Sequence, residues 1–303
     1  MSINSSSAHD NLLVLSSSNS SIDVSYSACQ DSAGAMIIYT IYFIINIFFL
    51  PLYILILYMG FKRWRSTPAG TATSHSNFFT YQMMMVEIVG VFALLFYTLG
   101  TYIKNNTIIL LGVFFLSFYF PVQTLFHVLT CIERYLAVVH PITYMHLREA
   151  VRVRIRNIST IFVWLVGSGW LGLTKLFYPN FPTYPFLSLI AICVFVTFFC
   201  CVFVLFVLDR SGPGQMGGNK GRVDQSKQRA FHMIMAISAT LLLRFVGLLV
   251  AYGIDNLTVI DLEVSCVLLK SAIGLTVPSS LVLPLLYLLR AGKLSCFRKS
   301  TKS

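Results

Sequence analysis

Three charged residues interrupt runs of otherwise apolar sequence: Glu87, Arg244 and Lys270. A fourth constellation, Glu133-Arg134-Tyr135, closes another such run. A carboxylate in the middle of an apolar stretch is costly unless it is paired or hydrated, so position alone makes Glu87 a functional-site candidate. Arg244 has two sensible partners, Glu87 in an internal salt bridge or an anionic ligand. Lys270 stands about four helical turns before Pro284, where its ammonium either snorkels to an interface or attracts an acidic ligand. Glu133-Arg134 reads either as an interfacial ion pair or as a switch, the arginine paired in one state and extended toward a partner protein in another. No Cys-x-x-Cys pair, glycine-rich phosphate loop or Ser/His/Asp arrangement accompanies these residues, so neither enzyme chemistry nor a metal centre is expected.

The surrounding composition says what must position them. Of 303 residues, 56% are hydrophobic and 11% charged, and the mean hydropathy is +0.77. Soluble domains carry roughly 25% charged residues. A soluble enzyme, a disordered chain and a disulfide-rich scaffold are therefore excluded at the outset. Apolar runs at 36–61, 78–100, 108–138, 158–178, 186–208, 231–254 and 266–289 each reach the ~20 residues that a helix needs to cross ~30 Å of hydrocarbon. The expected fold is all-α: a membrane protein built as a bundle of seven transmembrane helices. It divides into a Ser-rich tail (1–35), the helical domain (36–289) and a short tail (290–303).

The net charge of +11, from 22 Lys+Arg against 11 Asp+Glu, is unevenly placed. Basic residues crowd the segments after the first run (Lys62, Arg63, Arg65), after the third (148–156), after the fifth (220–229) and after the seventh (290–302). The alternate connections hold only Lys104 and Lys175. The positive-inside rule puts the crowded side in the cytoplasm, with the N-terminus outside and the C-terminus inside. Asn-x-Ser/Thr sequons at Asn4, Asn19, Asn105 and Asn256 all fall on the outer side, which predicts an extracellular, glycosylated tail. Asn157 also matches but lies on the inner side and is expected to stay bare. The first run is expected to serve as its own uncleaved signal. The basic excess is thus a topology signal and an inner face for anionic lipid, not a nucleic-acid footprint.

Cys131-Ile132-Glu133-Arg134-Tyr135, with Pro141 beyond it, ends the third of seven runs and resembles the Asp/Glu-Arg-Tyr signature of rhodopsin-like (class A) G-protein-coupled receptors. Pro284-Leu285-Leu286-Tyr287 looks like the family's Asn-Pro-x-x-Tyr, with Leu283 in place of the asparagine. Asn46, Asn77, Glu87 and Trp164 (Trp170 being a rival) fall where the family has characteristic residues. The departures are as specific. Arg244-Phe245-Val246-Gly247 stands for Cys-Trp-x-Pro, and the fifth run lacks its proline. Lys227 stands near the position of the family's acid on span six. Both cysteines of the usual outer disulfide are missing, Ile109 standing at one of those positions.

The resemblance implies roles for particular residues. Glu133, Arg134, Tyr135, Pro284 and Tyr287 would form the switch that meets a heterotrimeric G protein. Asn46, Glu87, Gln123 and Ser279 would be a sodium-ion site or its remnant, the one cofactor in view. Leu116, Arg244, Phe245 and Lys270 would line a ligand pocket. Leu116 occupies the place where amine receptors carry an aspartate, which disfavours an aminergic ligand. Phe245 would be either the aromatic that shifts when a ligand arrives or plain core, and Gly247 would permit a bend without proline. Cys29 and Cys266 would pair outside, and Cys296 would be palmitoylated on a short interfacial helix or remain a free thiol. The function expected is that of a plasma-membrane receptor that passes the binding of an unidentified extracellular ligand, an anionic one given Arg244 and Lys270, to a G protein. Two competitors remain: a seven-span transporter or channel using Glu87, Arg244 and Lys270, and a receptor-fold partner or decoy that does not signal.

Overall fold

The computed structural model describes residues 33–66, 78–140, 149–177, 182–210, 220–255 and 262–290. Asn4, Asn19, Cys29, Asn77, Asn256 and Cys296 lie outside the described residues, as do the side chains of Cys266 and Ser279. The described residues are helical apart from short connections: α1 (Ala33–Ser66), α2 (Phe78–Ile103), α3 (Asn106–Val139), α4 (Glu149–Phe177), α5 (Thr183–Arg210), α6 (Lys220–Asp255), α7 (Leu262–Gly274) and α8 (Thr276–Arg290). Helices α1 to α6 are long and apolar enough to cross a membrane and coincide with the first six apolar runs.

The seventh run behaves differently. It forms α7 and α8, which meet at Leu275, where the backbone N–H turns back to the Ala272 carbonyl at 3.1 Å. Packing explains the break. The Tyr42 ring of α1 occupies the space that a side chain at Gly274 would need, and its hydroxyl donates to the Ser271 carbonyl at 3.1 Å. Leu275 in turn fills the notch left by Gly247 on α6. Gly247 lies inside α6, which is helical through that position, and its missing side chain makes room for a neighbour.

Helix α3 stands at the centre and packs against α2, α4, α5 and α6. Helix α1 lies on α2 and α7, and α8 closes the bundle by touching α1, α2 and α6. The inward faces are apolar, with Met83, Met84, Val122, Phe126, Ile190, Ile237 and Leu241 fully buried. Outward faces carry exposed Phe48, Phe195, Phe198 and Phe206, a surface suited to hydrocarbon. Lipid tails are as apolar as leucine, so association in a membrane leans on close packing. Glycines supply it between α2 and α3: a Cβ at Gly112 would lie 2.5 Å from the Tyr97 nitrogen, and one at Gly100 would lie 2.6 Å from the Ile109 nitrogen. Ile109 is thus buried against Gly100, and close packing holds these two helix ends together.

The α2–α3 reversal takes two residues. Lys104 adopts φ +57°, its N–H reaching Thr101 O at 3.3 Å while Asn105 N–H reaches Gly100 O at 3.0 Å. That is a Schellman closure with lysine in the left-handed position usually given to glycine. Asn105 then opens α3 as its N-cap, Oδ1 accepting from Thr107 N–H at 3.0 Å and Ile108 N–H at 3.3 Å. A left-handed non-glycine residue costs about 1–2 kcal/mol, partly offset by the entropy that glycine would lose. Lys104→Gly should therefore stabilise the protein by about 0.5–1 kcal/mol, read as a rise of about 1–3 °C in the Tm of detergent-purified protein. An unchanged or lower Tm would show that the turn carries no such strain.

Candidate functional site

The centre of the bundle holds a polar network built on one face of α3. Tyr119 and Gln123 are one turn apart on that face, as are Phe120 and Thr124. Glu87 enters from α2, Ser280 from α8 and Arg244 from α6, and all of these polar residues are buried. Tyr119 Oη donates to Glu87 Oε2 at 2.9 Å, and Gln123 Nε2 donates to Glu87 Oε1 at 2.9 Å. Gln123 Nε2 also lies 2.7 Å from Tyr119 Oη and 2.9 Å from Ser280 Oγ, so its two hydrogens are shared among three oxygens. Ser280 Oγ passes its own proton to the Thr276 carbonyl at 3.3 Å.

On the far side of the amide, Arg244 Nη1 donates to Gln123 Oε1 at 3.1 Å and to Thr124 Oγ1 at 3.2 Å. A guanidinium can only donate, so it must face the amide oxygen. The nitrogen is thereby turned toward Glu87, and the orientation of the Gln123 side chain is settled by its neighbours. The acid and the base are bridged by an amide, which replaces the direct salt bridge expected between them. Phe120 and Phe186 flank the guanidinium at 5.2 and 5.4 Å from their ring centroids, adding cation–π attraction in a water-poor setting. Arg244 Nε and Nη2 make no hydrogen bond among the described residues, nor do both ring nitrogens of buried His127 and the hydroxyl of buried Tyr53.

Of the expected sodium-site residues, Glu87 and Gln123 meet here. Asn46 donates to Tyr42 O of its own helix at 2.8 Å. Ser280, one position beyond the expected Ser279, provides the hydroxyl. These residues fit a sodium ion poorly, because each Glu87 oxygen already accepts from a protein donor and a fixed cation stands beyond the amide. Sequence reasoning missed Tyr119 and Ser280, and also Gly90, one turn beyond Glu87. A Cβ on Gly90 would lie 2.6 Å from Tyr119 Cε2, so the absence of a side chain there is what lets the tyrosine reach the acid.

The expected ligand-pocket residues separate. Leu116 is buried in the α3 core, and Phe245 is half-buried against the same core. Lys270 does not snorkel. It is 9% exposed, its ammonium stands 5.2 Å from the Tyr39 ring centroid, and it lines a cavity of ≈ 10 Å³ with Met36, Tyr39, Tyr97, Thr98, Thr101 and Tyr102.

At the opposite end of α3, Arg134 is buried while Glu133 is half-buried. Glu133 acts electrostatically on Arg156 of α4, which stands over the Phe78 ring at 4.0 Å. Tyr135 packs edge-on against Phe203 of α5 and against His140. Tyr287, a turn beyond buried Pro284, meets Tyr81 of α2 through hydroxyls 3.2 Å apart. Trp164 joins α4 to the core through an Nε1 donation to Gln82 Oε1 at 3.3 Å and contact with Phe118 and Phe126. Cys131, Cys193, Cys200 and Cys201 are free and buried. No protein-family model matches the chain, and no curated protein matches it.

Gln123→Leu keeps the volume and removes both ends of the bridge. It should cost about 3–5 kcal/mol, the range for breaking a buried charged network on one side. A double-mutant cycle of Glu87→Leu and Arg244→Leu should give a coupling above about 1 kcal/mol, although the two side chains do not touch. Additive stabilities would show that the amide does not link them.

Proposed function

We propose that the chain is a divergent receptor of the rhodopsin-like G-protein-coupled class. In this reading α7 and α8 together form the seventh span, the N-terminus lies outside and the C-terminus in the cytoplasm, and the protein works at the plasma membrane with glycans on its outer sequons. The observation that carries the reading is the state of the α3 end, where Arg134 is buried; a separate Tyr81–Tyr287 contact joins α2 to α8. Burial of an arginine at a helix end stores a cation that a helix movement can release. An agonist acting at the Lys104 end would shift α6 and α8 through the Glu87–Gln123–Arg244–Ser280 network, loosen the tyrosine contact and expose Arg134. A heterotrimeric G protein would then dock against Arg134 and the basic segments at 148–156 and 220–229. The outer glycan at Asn105 is compatible with the cap, since Oδ1 holds the helix and Nδ2 takes no part in it.

Lys227 stands near the place of the family's acid on span six, so the resemblance implies no acid at that position. Basal signalling is therefore expected to be high. In cells expressing G-protein dissociation reporters, with surface delivery followed by an N-terminal tag, the unliganded chain should signal at least about twofold above Arg134→Ala at equal surface density. Equal signals would overturn the expectation of basal signalling, and a membrane current abolished by Glu87→Gln would replace the receptor reading with a channel.

A further inference from the structure

We infer that the small cavity between α1, α2 and α7 is a subsite for the carboxylate of an acidic ligand, with Lys270 supplying the charge and Thr98 the hydrogen bond. Calling the occupant an agonist rests on the receptor reading; its binding does not.

Thr98 is the unusual wall residue. Thr40, Thr101, Thr124 and Thr130 each donate to a carbonyl one turn back in their own helix, at 2.8 Å. Thr98 is 8% exposed, yet its hydroxyl finds no hydrogen-bond partner among the described residues. It lines the same cavity as Lys270, so a donor and a cation from two different helices converge on one space. A buried hydroxyl without a partner is destabilising, and such groups persist where something else is to be bound. Tyr39 presents its ring face to the Lys270 ammonium, a cation–π contact.

The dimensions and the rim choose the anion. A volume of ≈ 10 Å³ admits about one oxygen-sized group, so an oxyanion enters by a single oxygen and the rim selects what carries it. A carboxylate can place one oxygen inside and leave its body at the mouth, where Tyr102 is 58% exposed and Met36 half-buried. Those apolar and aromatic rims suit an aryl or alkyl acid, whether carried in water or in the bilayer. Arg244 does not line this cavity; its Nη1 serves Gln123 and Thr124.

The full chain in neutral-lipid nanodiscs is titrated with benzoate, oleate, benzyl alcohol and chloride, and binding is read from Tm and from equilibrium dialysis of labelled acid. Saturable binding of benzoate or oleate, at least tenfold weaker in Lys270→Gln and about threefold or more weaker in Thr98→Val, supports the site; benzoate alone marks a water-borne acid and oleate alone a lipid-borne one. Thr98→Val should not lower the basal Tm, so its loss of binding separates recognition from misfolding. Equal binding by the variants, equal binding of benzyl alcohol, or the same effect from chloride overturns the carboxylate assignment. Lys270-dependent binding without any G-protein response keeps the site and removes the receptor reading.

Discussion

A single amide holds the middle of this bundle together. In surroundings that offer no water, each buried polar group must find its partner within the protein. Glu87 presents two accepting oxygens and Arg244 only donors, and they approach α3 from different helices. Glutamine offers an acceptor and a donor at opposite ends of one rigid plane, so Gln123 can satisfy both without bringing the charges into contact. Its orientation is then fixed, and with it the rotation of α3 about its own axis. The registers of α2, α6 and α8 follow, since Glu87, Arg244 and Ser280 must all arrive at the same height.

Around that centre the helices are held by shape. At a position where the resembled family has a cysteine, this chain has Ile109, set against the backbone of Gly100. At the family's proline on the sixth span it has Gly247, and the space goes to Leu275. Both are exchanges of a special residue for a notch and a filler, a natural solution in a solvent where fit matters more than water exclusion. The result keeps the helices close: α6 stays helical through Gly247, and the interruption appears at Leu275.

The apolar runs were legible because a stretch of about 20 residues is a long-range signal that no local detail obscures. The charged network was half legible. Glu87, Arg244 and Gln123 stand out as polar residues in apolar sequence, whereas Tyr119 hides within an aromatic-rich run. Ser279 and Ser280 are neighbours about 100° apart on a helix, and only the packing register says which one faces inward. The break at Leu275 left a faint signature, a glycine at 274 followed by Pro278, the usual order for a helix end and a new start. The choice between the two readings of Lys270 was not legible, because its distance from Pro284 gives depth in the bundle and says nothing about which neighbour its side chain meets.

The two-residue link at Lys104-Asn105 leaves α2 and α3 no slack. Two residues reach about 7 Å at full extension, and here they are already committed to a closure and a cap. A slide of one helical turn, about 5.4 Å, would have to tear out both. The pair is thus a fixed frame pinned at one end, like tongs closed at the pivot. Whatever rearrangement the bundle undergoes, its amplitude must be smallest beside Lys104 and must grow with distance along the arms, so the Arg134 end is where motion becomes large enough to be read.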